Sequence, residues 1–282
     1  MKKIIDIKNL EFRYSRQKKL LYDLSLQLKS GSIHGLIGKN GEGKTTLLKL
    51  ISGLIFPING KIEVLGFEPR KRDPKMLENV FFLPEEILNS SLSIESFEKV
   101  YAPFYNDFSS GSFYQYMNEF TIDSQTRNIS EMSYGQRKKF LIAFGLATNA
   151  KLILMDEPTN GLDIPSKRQF RRMVSSVINE DNCILISTHQ VFDLENMIDN
   201  IIIMDDHEIV FNELTSNILE KLQFKTSVEK EITKSTIYSE ETESGYSQIS
   251  ENEAGIVSKL DIELLFNAIM TSRDKIKKVM ES

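Results

Sequence analysis

The chain has 282 residues, of which 40% are hydrophobic and 27% charged. This composition is typical of a globular protein with one large or two modest domains, and it excludes a collagen-like, disordered or disulfide-scaffold chain. No apolar run reaches the roughly 18 residues of a membrane-spanning helix, and Asp6 interrupts the segment where a signal peptide would have its apolar core. The net charge of −5 argues against a nucleic-acid partner, and the single cysteine, Cys183, cannot form an internal disulfide.

The N-terminal part of the chain is predicted to contain short strands and one helix. Strands are predicted at residues 3–7, 10–14, 20–28, 32–37 and 61–65, and a helix at residues 45–52 that ends at Gly53. From residue 86 to about residue 127, aromatic residues recur at helical rather than strand spacing, which predicts a small helical insert. These aromatic residues are Phe97, Tyr101, Phe104, Phe113, Tyr116 and Phe120.

Beyond residue 133 the predicted elements again alternate between helix and strand. Helices are predicted at residues 136–148 and from Pro165 onward, and wholly apolar strands at residues 152–155, 183–187 and 201–204. Apolar strands that alternate with helices predict an α/β sheet that is mostly parallel and covered on both faces. Cys183 lies within one of these strands and is expected to pack in the core.

The composition becomes acidic in the C-terminal part of the chain. Residues 226–255 contain seven Glu and two Lys without Asp or Arg. The net charge of this segment is therefore −5, the same as that of the whole chain. Weak strand signals at residues 224–228 and 246–249 precede an amphipathic helix at residues 261–270, so we expect a folded module. The predicted division is residues 1–211, with the helical insert at about residues 86–132, and a C-terminal accessory or regulatory module at residues 212–282.

A glycine-rich segment between a predicted strand and a predicted helix fits the phosphate-loop pattern G-x-x-x-x-G-K-[ST]. Its residues are Gly38, Lys39, Asn40, Gly41, Glu42, Gly43, Lys44 and Thr45. In this pattern the glycines let successive N–H groups point at the phosphates, the lysine reaches the β- and γ-phosphates, and the hydroxyl binds Mg²⁺. The sequence therefore predicts an ATP site, to which we also assign Thr46.

Two carboxylates follow the predicted apolar strand at residues 152–155. A buried strand that ends here brings Asp156 and Glu157 to the sheet edge where open α/β sheets bind ligands, beside the phosphate loop. We expect Asp156 to hold the Mg²⁺ shell and Glu157 to orient the attacking water or to accept its proton.

Ser133 and Gly135 stand at the start of a predicted helix, in the segment Met132-Ser-Tyr-Gly-Gln. A hydroxyl, a glycine that allows close approach and a helix N-terminus together make an anion site. The same residues also fit a simple helix start, in which Ser133 is the N-cap and Gly135 has no special role. Local physics leaves both interpretations open.

This segment resembles the signature motif of ATP-binding cassette (ABC) ATPases, most often written LSGGQ, and the order of motifs from residue 1 to about residue 210 resembles a single cassette. The resemblance implies an α/β fold of the P-loop NTPase type: a mostly parallel sheet, an antiparallel β subdomain and an inserted helical subdomain, followed here by the small C-terminal α+β module. It also implies a head-to-tail dimer around two ATP, in which signature residues of one chain cap the γ-phosphate held by the other. These are Ser133, Tyr134, Gly135 and Gln136.

Further positions match motifs of the family. The segment Asn160-Gly-Leu-Asp resembles the D-loop, with Asp163 as its dimer-contacting acidic residue. Ser187-Thr-His resembles the switch segment, in which His189 contacts the γ-phosphate and acts with Glu157 in catalysis. Tyr14 resembles the aromatic residue that stacks on adenine.

Two positions depart from the family pattern. The Q-loop, residues 82–86, has Glu85 where a glutamine is usual. Its carboxylate can still ligate Mg²⁺, but it adds a negative charge beside the phosphates, so we expect altered Mg²⁺ dependence. Tyr134 replaces a glycine of the usual signature and crowds it without removing Ser133 or Gly135.

The resemblance implies an ATPase that uses ATP and Mg²⁺ and powers a separate integral membrane permease, as a homodimer or heterodimer on the cytoplasmic face of the membrane. The C-terminal extension resembles those of ABC-2-type exporter cassettes, which favours export over import. A translation factor of the superfamily would be expected to carry two cassettes, and a chromosome or repair ATPase a long coiled-coil insert. A nucleotide-gated regulator that signals by dimerising stays open as an alternative, and the residues do not identify the cargo.

Overall fold

The computed structural model describes residues 2–15, 20–87, 89–126, 128–194, 196–229, 232–243 and 245–281. In chain order, the strands are β1 (Lys3–Phe12), β2 (Leu21–Lys29), β3 (Ser32–Ile37), β4 (Asn59–Val64), β5 (Val80–Leu83), β6 (Leu152–Asp156), β7 (Cys183–Thr188), β8 (Asn200–Asp205), β9 (Glu208–Leu214), β10 (Leu222–Ser227), β11 (Thr236–Thr242) and β12 (Gly245–Glu251). The helices are α1 (Lys44–Ile51), α2 (Pro74–Leu77), α3 (Ile94–Tyr101), α4 (Ser110–Glu119), α5 (Tyr134–Ala147), α6 (Ile164–Val177), α7 (Thr215–Lys221) and α8 (Ile262–Glu281).

The central sheet confirms the predicted α/β fold class. Its strand order is β5-β6-β7-β3-β8-β9, and every neighbouring pair is parallel except β8 and β9. Register brings Asp156 beside Ser187, and Ile37 beside Thr188. The carboxyl ends of β3, β6 and β7 therefore meet at one edge, which is where open α/β sheets bind ligands.

Alternate residues of the central strands pack into two different cores. Leu154, Leu185 and Ile202 face α1 and the antiparallel sheet of order β2-β1-β4. Their neighbours Ile153 and Ile184 face a second core that contains α5, α6, the helical insert and the C-terminal elements. Because successive side chains of a strand point to opposite faces, a strand covered on both sides must be apolar throughout. Cys183 is fully buried, as predicted, and burial raises the pKa of its thiol.

The helical insert contains α3, α4 and an aromatic cluster that packs against α5. The ring of Phe97 contacts Phe140 and Phe144 edge-on at centroid distances of 5.0 and 5.2 Å. Phe113 also meets Phe144 edge-on, at 5.7 Å. Edge-to-face pairs of this kind stabilise beyond the area that they bury, so the insert is firmly attached to the helix that begins with the signature residues.

The C-terminal elements form an antiparallel sheet of order β10-β12-β11, against which α8 packs. Leu222, Ile249, Leu265 and Ile276 are buried in the same continuous core as the helical insert. The central sheet continues through β9 to Leu214, slightly beyond the predicted boundary at residues 211/212. Within the described residues, no helix is long and apolar enough to span a bilayer.

Several elements differ from the sequence predictions. The first two predicted strands are one strand, because Asn9 adopts a left-handed conformation (φ 49°) at a register shift and β1 continues past it. The β8–β9 hairpin was not predicted, because its turn uses the positive-φ residues Asp206 and His207 rather than glycine. β11 and α7 were also not predicted, and α8 extends well beyond the predicted helix to Glu281, with a break at Ser272.

Candidate nucleotide site

The phosphate loop connects β3 to α1 and depends on its glycines. Gly41 and Gly43 have φ of 92° and 106°, which L side chains rarely adopt. A Cβ on Gly38 would lie 2.7 Å from the backbone oxygen of Met204. Gly43 is the N-cap of α1 and provides no capping side chain, so the first N–H groups of the helix are available to an anion.

Lys44 lies back over this loop. Its side chain is buried, and Nζ donates to the carbonyl oxygens of Gly38 at 2.6 Å and Lys39 at 3.0 Å. Burial lowers the pKa of Lys44, and nearby carboxylates oppose this effect: Glu157, Asp156, Glu42 and Glu85. The ammonium is therefore held over the loop, within the field of the acidic groups of the site.

Asp156 ends β6 and is 1% exposed. Its carboxylate accepts a hydrogen bond from Thr45 Oγ1 at 2.6 Å and another from the hydroxyl of Ser187. Within the described residues, no group of three or more His, Cys, Asp or Glu side chains could by itself hold a metal ion. One carboxylate next to a phosphate-loop hydroxyl fits Mg²⁺, which proteins usually bind through one or two carboxylates together with substrate phosphates and water.

Glu157 follows Asp156 and forms a compact unit with the switch segment. Its Oε1 accepts the backbone N–H of His189 at 3.0 Å and lies 2.7 Å from His189 Nδ1, while Oε2 accepts from Thr188 Oγ1 at 3.1 Å. Glu157 has a φ of 45°, and its N–H donates to Ser187 O at 3.0 Å. A strained backbone that surrounding hydrogen bonds hold in place is common at catalytic sites.

Glu85 of the Q-loop is hydrogen-bonded to the D-loop. Its Oε1 accepts from Asn160 Nδ2 at 3.2 Å, and Asn160 Oδ1 accepts from Gln190 Nε2 at 3.2 Å. Hydrogen bonds thus link the Q-loop, the D-loop and the residue after the switch histidine. Glu85 and Glu157 line one cavity of about 370 Å³ with Lys44 and Thr45.

The signature residues lie at the start of α5. Ser133 is its N-cap and forms a capping box with Gln136, so the helix-start interpretation describes its contacts within this chain. A Cβ on Gly135 would lie 2.8 Å from the carbonyl oxygen of Gly161. The backbone of the signature and the backbone of the D-loop therefore lie close together. No signature residue is among the described residues that line the cavity over the phosphate loop.

The remaining predicted residues are close to the site or to its edge. Tyr14 is 64% exposed, its hydroxyl lies 3.1 Å from Thr46 Oγ1, and its ring meets Phe12 edge-on at a centroid distance of 4.8 Å. Asp163 is the N-cap of α6, and hydrogen bonds from Ser166 lower its pKa.

Lys138 also belongs to the site, and the sequence reading did not assign it. It is fully buried, and burial lowers the pKa of its ammonium to about 8, although Glu85, Asp156 and Glu157 oppose this effect. On α5 it lies four residues before the buried Ile142, and therefore on the same apolar face of the helix. Its position on that face is the signal in the sequence that could have shown its burial.

Comparisons with known proteins agree with these motifs and this fold. Residues 21–160 match the family model described as ABC transporter. The chain is 32% identical over 192 residues to the ABC transporter ATP-binding protein YtrB of Bacillus subtilis (strain 168), covering 67% of this chain and 65% of that protein. It is 28% identical over 236 residues to the bacitracin transport ATP-binding protein BcrA of Bacillus licheniformis, covering 80% of this chain and 76% of that protein.

Among solved structures, the ATP binding subunit of an ABC transporter is similar, with a TM-score of 0.68 and 23% identity over 76% of this chain and 91% of that chain. This likeness supports the fold, whereas the family model and the sequence relatives give the class of protein. The chain belongs to the family of ABC transporter ATP-binding proteins, whose members hydrolyse ATP.

Proposed function

We propose that the chain is an ATP-hydrolysing subunit that dimerises head to tail around two ATP and powers a separate membrane permease. The observation that carries this proposal is the unit of Glu157 and His189 beside the phosphate loop, with Asp156 bonded to Thr45. Both the carboxylate and the histidine are present and in contact, which favours turnover over a regulator that only binds nucleotide.

Each residue of the site has a chemical role in this proposal. The N–H groups of the phosphate loop and Lys44 bind the phosphates, and His189 contributes a hydrogen bond to the γ-phosphate. Glu157 orients the attacking water and accepts its proton. Mg²⁺, held through Thr45, Asp156 and Glu85, would neutralise charge on the phosphates.

The cavity over the phosphate loop supports the dimer. Its described lining comes from the loop, Leu20, Glu85 and Glu157, and none of it from the signature. The signature of a second chain, Ser133 to Gln136, would therefore close the site, with Tyr14 stacked on the adenine and Asp163 at the dimer contact.

A cleft between α1 and the helical insert supports the permease partner. It measures about 1280 Å³, and Thr45, Glu85 and Asp156 are among its lining residues. Phe104, Leu54 and Tyr101 line it and are 64%, 52% and 41% exposed, and a group of exposed large apolar side chains is a feature of protein interaction sites. A permease segment in this cleft would contact the nucleotide site directly.

The assembly would lie on the cytoplasmic face of the membrane, with residues 212–282 as an accessory module. The resemblance of this extension to those of ABC-2-type exporter cassettes favours an exporter. BcrA is named for the transport of bacitracin, and the same broad activity is proposed here without a specified cargo.

The test is co-purification of Glu157→Gln from native cells in mild detergent with MgATP, read by mass spectrometry. We expect a stoichiometric multispanning protein, which Phe104→Ser should release while the ATPase activity of the isolated chain is unchanged. Val257→Ser is the matched control, because Val257 is 98% exposed and lies in the C-terminal module. Recovery of ribosomal or DNA-associated proteins instead would overturn the transport proposal and leave the ATPase chemistry intact.

A further inference from the structure

A fully buried lysine stands at the nucleotide site without a role in any of the motifs described above. Lys138 lies on α5, one helical turn after Tyr134, and its side chain is 0% exposed. Lysine is almost never fully buried unless it is paired, and burying its charge is costly. Its presence here therefore requires an explanation from the groups around it.

Two side chains of α5 bind the same carbonyl group of the Q-loop. Lys138 Nζ donates to the backbone oxygen of Glu85 at 3.1 Å, and the hydroxyl of Tyr134 donates to that oxygen at 2.8 Å. The ammonium also lies 5.9 Å from the centroid of the Tyr134 ring. Residues four apart share a helix face, so the first two turns of α5 hold the Q-loop at one atom.

The charges around Lys138 are the second observation. Glu85, Asp156 and Glu157 all attract its ammonium, and the same carboxylates act on Lys44. These three carboxylates surround a site that must accept the negative phosphates, and Lys44 alone does not balance them. Lys138 adds a second cation, delivered from the helix that begins with the signature.

We propose that Lys138 is a positioning residue that fixes the Q-loop through the carbonyl of Glu85 and compensates the charge of the Glu85 carboxylate. In this way a glutamate can occupy the Q-loop position beside the phosphates. The proposal rests on the ATP site of the proposed function. Tyr134 distinguishes the hydrogen bond from the charge compensation. Its hydroxyl donates to the same carbonyl oxygen, but it carries no charge.

The experiment is a double-substitution cycle with Lys138→Met and Glu85→Gln. The affinity for ATP is measured with and without Mg²⁺, together with kcat and the unfolding temperature of the nucleotide-free protein. We expect Lys138→Met to weaken ATP binding at least about tenfold, since one close positive charge is lost. Its unfolding temperature should also fall, because removing one member of a group of opposite charges leaves the buried carboxylates of Asp156 and Glu157 less compensated. Adding Glu85→Gln should restore most of the ATP affinity.

Two further variants are controls. Tyr134→Phe removes the other donor to the Glu85 carbonyl without changing charge, so Glu85→Gln should not rescue any defect that it causes. Lys99→Gln removes an exposed lysine of the helical insert and should leave ATP affinity unchanged. If Lys138→Met cannot be purified, Lys138→Gln takes its place in the same cycle.

Two results would overturn the proposal. One is independent effects of Lys138→Met and Glu85→Gln on ATP affinity. The other is a lower unfolding temperature for Lys138→Met with unchanged ATP affinity, which would show a purely structural lysine. A wild-type chain that binds ATP without hydrolysing it would refute the proposed turnover instead, and the binding cycle would still decide the role of Lys138.

Discussion

The residue assigned as catalytic base can be tested by a substitution that changes charge with little change in shape. Glu157 is 4% exposed. In the wild-type protein, Oε1 lies 3.0 Å from the backbone nitrogen of His189. In Glu157→Gln, the amide oxygen at this position can still accept a hydrogen bond from that N–H, and from His189 Nδ1 when Nδ1 carries the hydrogen. The amide nitrogen at the Oε2 position meets the hydroxyl of Thr188, which can turn to accept a hydrogen bond. We therefore expect the fold of the site to survive.

The expected loss is in turnover rather than in binding. General-base catalysis contributes about 10²–10⁴-fold, which corresponds to roughly 3–5 kcal/mol of activation free energy. Removing the carboxylate also removes a negative charge that faces Lys44 and the phosphates. ATP affinity should consequently be unchanged or higher, and the ATP-bound dimer should accumulate.

Phosphate release at saturating MgATP measures the turnover, and light scattering with and without ATP measures the dimer. Glu180→Gln is the control for the chemical change, since Glu180 is exposed in the turn before β7. Turnover at the wild-type rate would refute the assignment of Glu157. Loss of ATP binding together with turnover would show that the carboxylate is needed to form the site.

Three further substitutions test the surroundings of the site. Lys44→Ala should weaken ATP binding about 100-fold or more, measured with a fluorescent ATP analogue, because it removes the ammonium held over the phosphate loop. Gly38→Ala should lower both ATP affinity and the unfolding temperature, because the new Cβ would lie 2.7 Å from the backbone oxygen of Met204. Burial holds the pKa of His34 below its ordinary value of 6.5. As the pH is lowered, the unfolded chain therefore takes up a proton that the folded chain does not. Below about pH 6.5, each further drop of one pH unit should lower the free energy of unfolding by up to about 1.4 kcal/mol. His34→Val should remove this part of the slope in urea titrations between pH 7.5 and 5.5, and an identical slope would contradict it.

The four inner strands of the central sheet could be predicted because they are covered on both faces, whereas the edge strands β5 and β9 were not predicted. β6, β7 and β8 carry uninterrupted apolar runs, and this pattern follows from burial on two faces. β9 and β11 lack such runs, since each has one or more exposed or half-buried charges along its length. Their strand conformation depends on backbone pairing with β8 and β12, and a single sequence does not show that pairing.

The contacts of the site follow the motifs closely where the motif residues end a strand. The structure brings Thr45 to Asp156 and His189 to Glu157, because β3, β6 and β7 are adjacent and in register. The D-loop and signature residues are different. Within one chain, Ser133 and Asp163 cap helices, so their proposed roles depend on a second chain, which the resemblance to the family implies.

Lys138 shows why part of such a site escapes sequence reading. A lysine in a helix is usually solvated, and its burial here requires an acceptor and negative charge that come from elsewhere in the chain. Both come from residues far away in sequence: the Glu85 carbonyl after β5, and the carboxylates at the end of β6. In the sequence, neither Glu85 nor Lys138 indicates that the other is its neighbour. Glu85 alone is compatible with a metal ligand, and Lys138 alone with a solvated lysine. Only the fold makes them neighbours, so a change at Glu85 should be tolerated or not according to what occupies position 138.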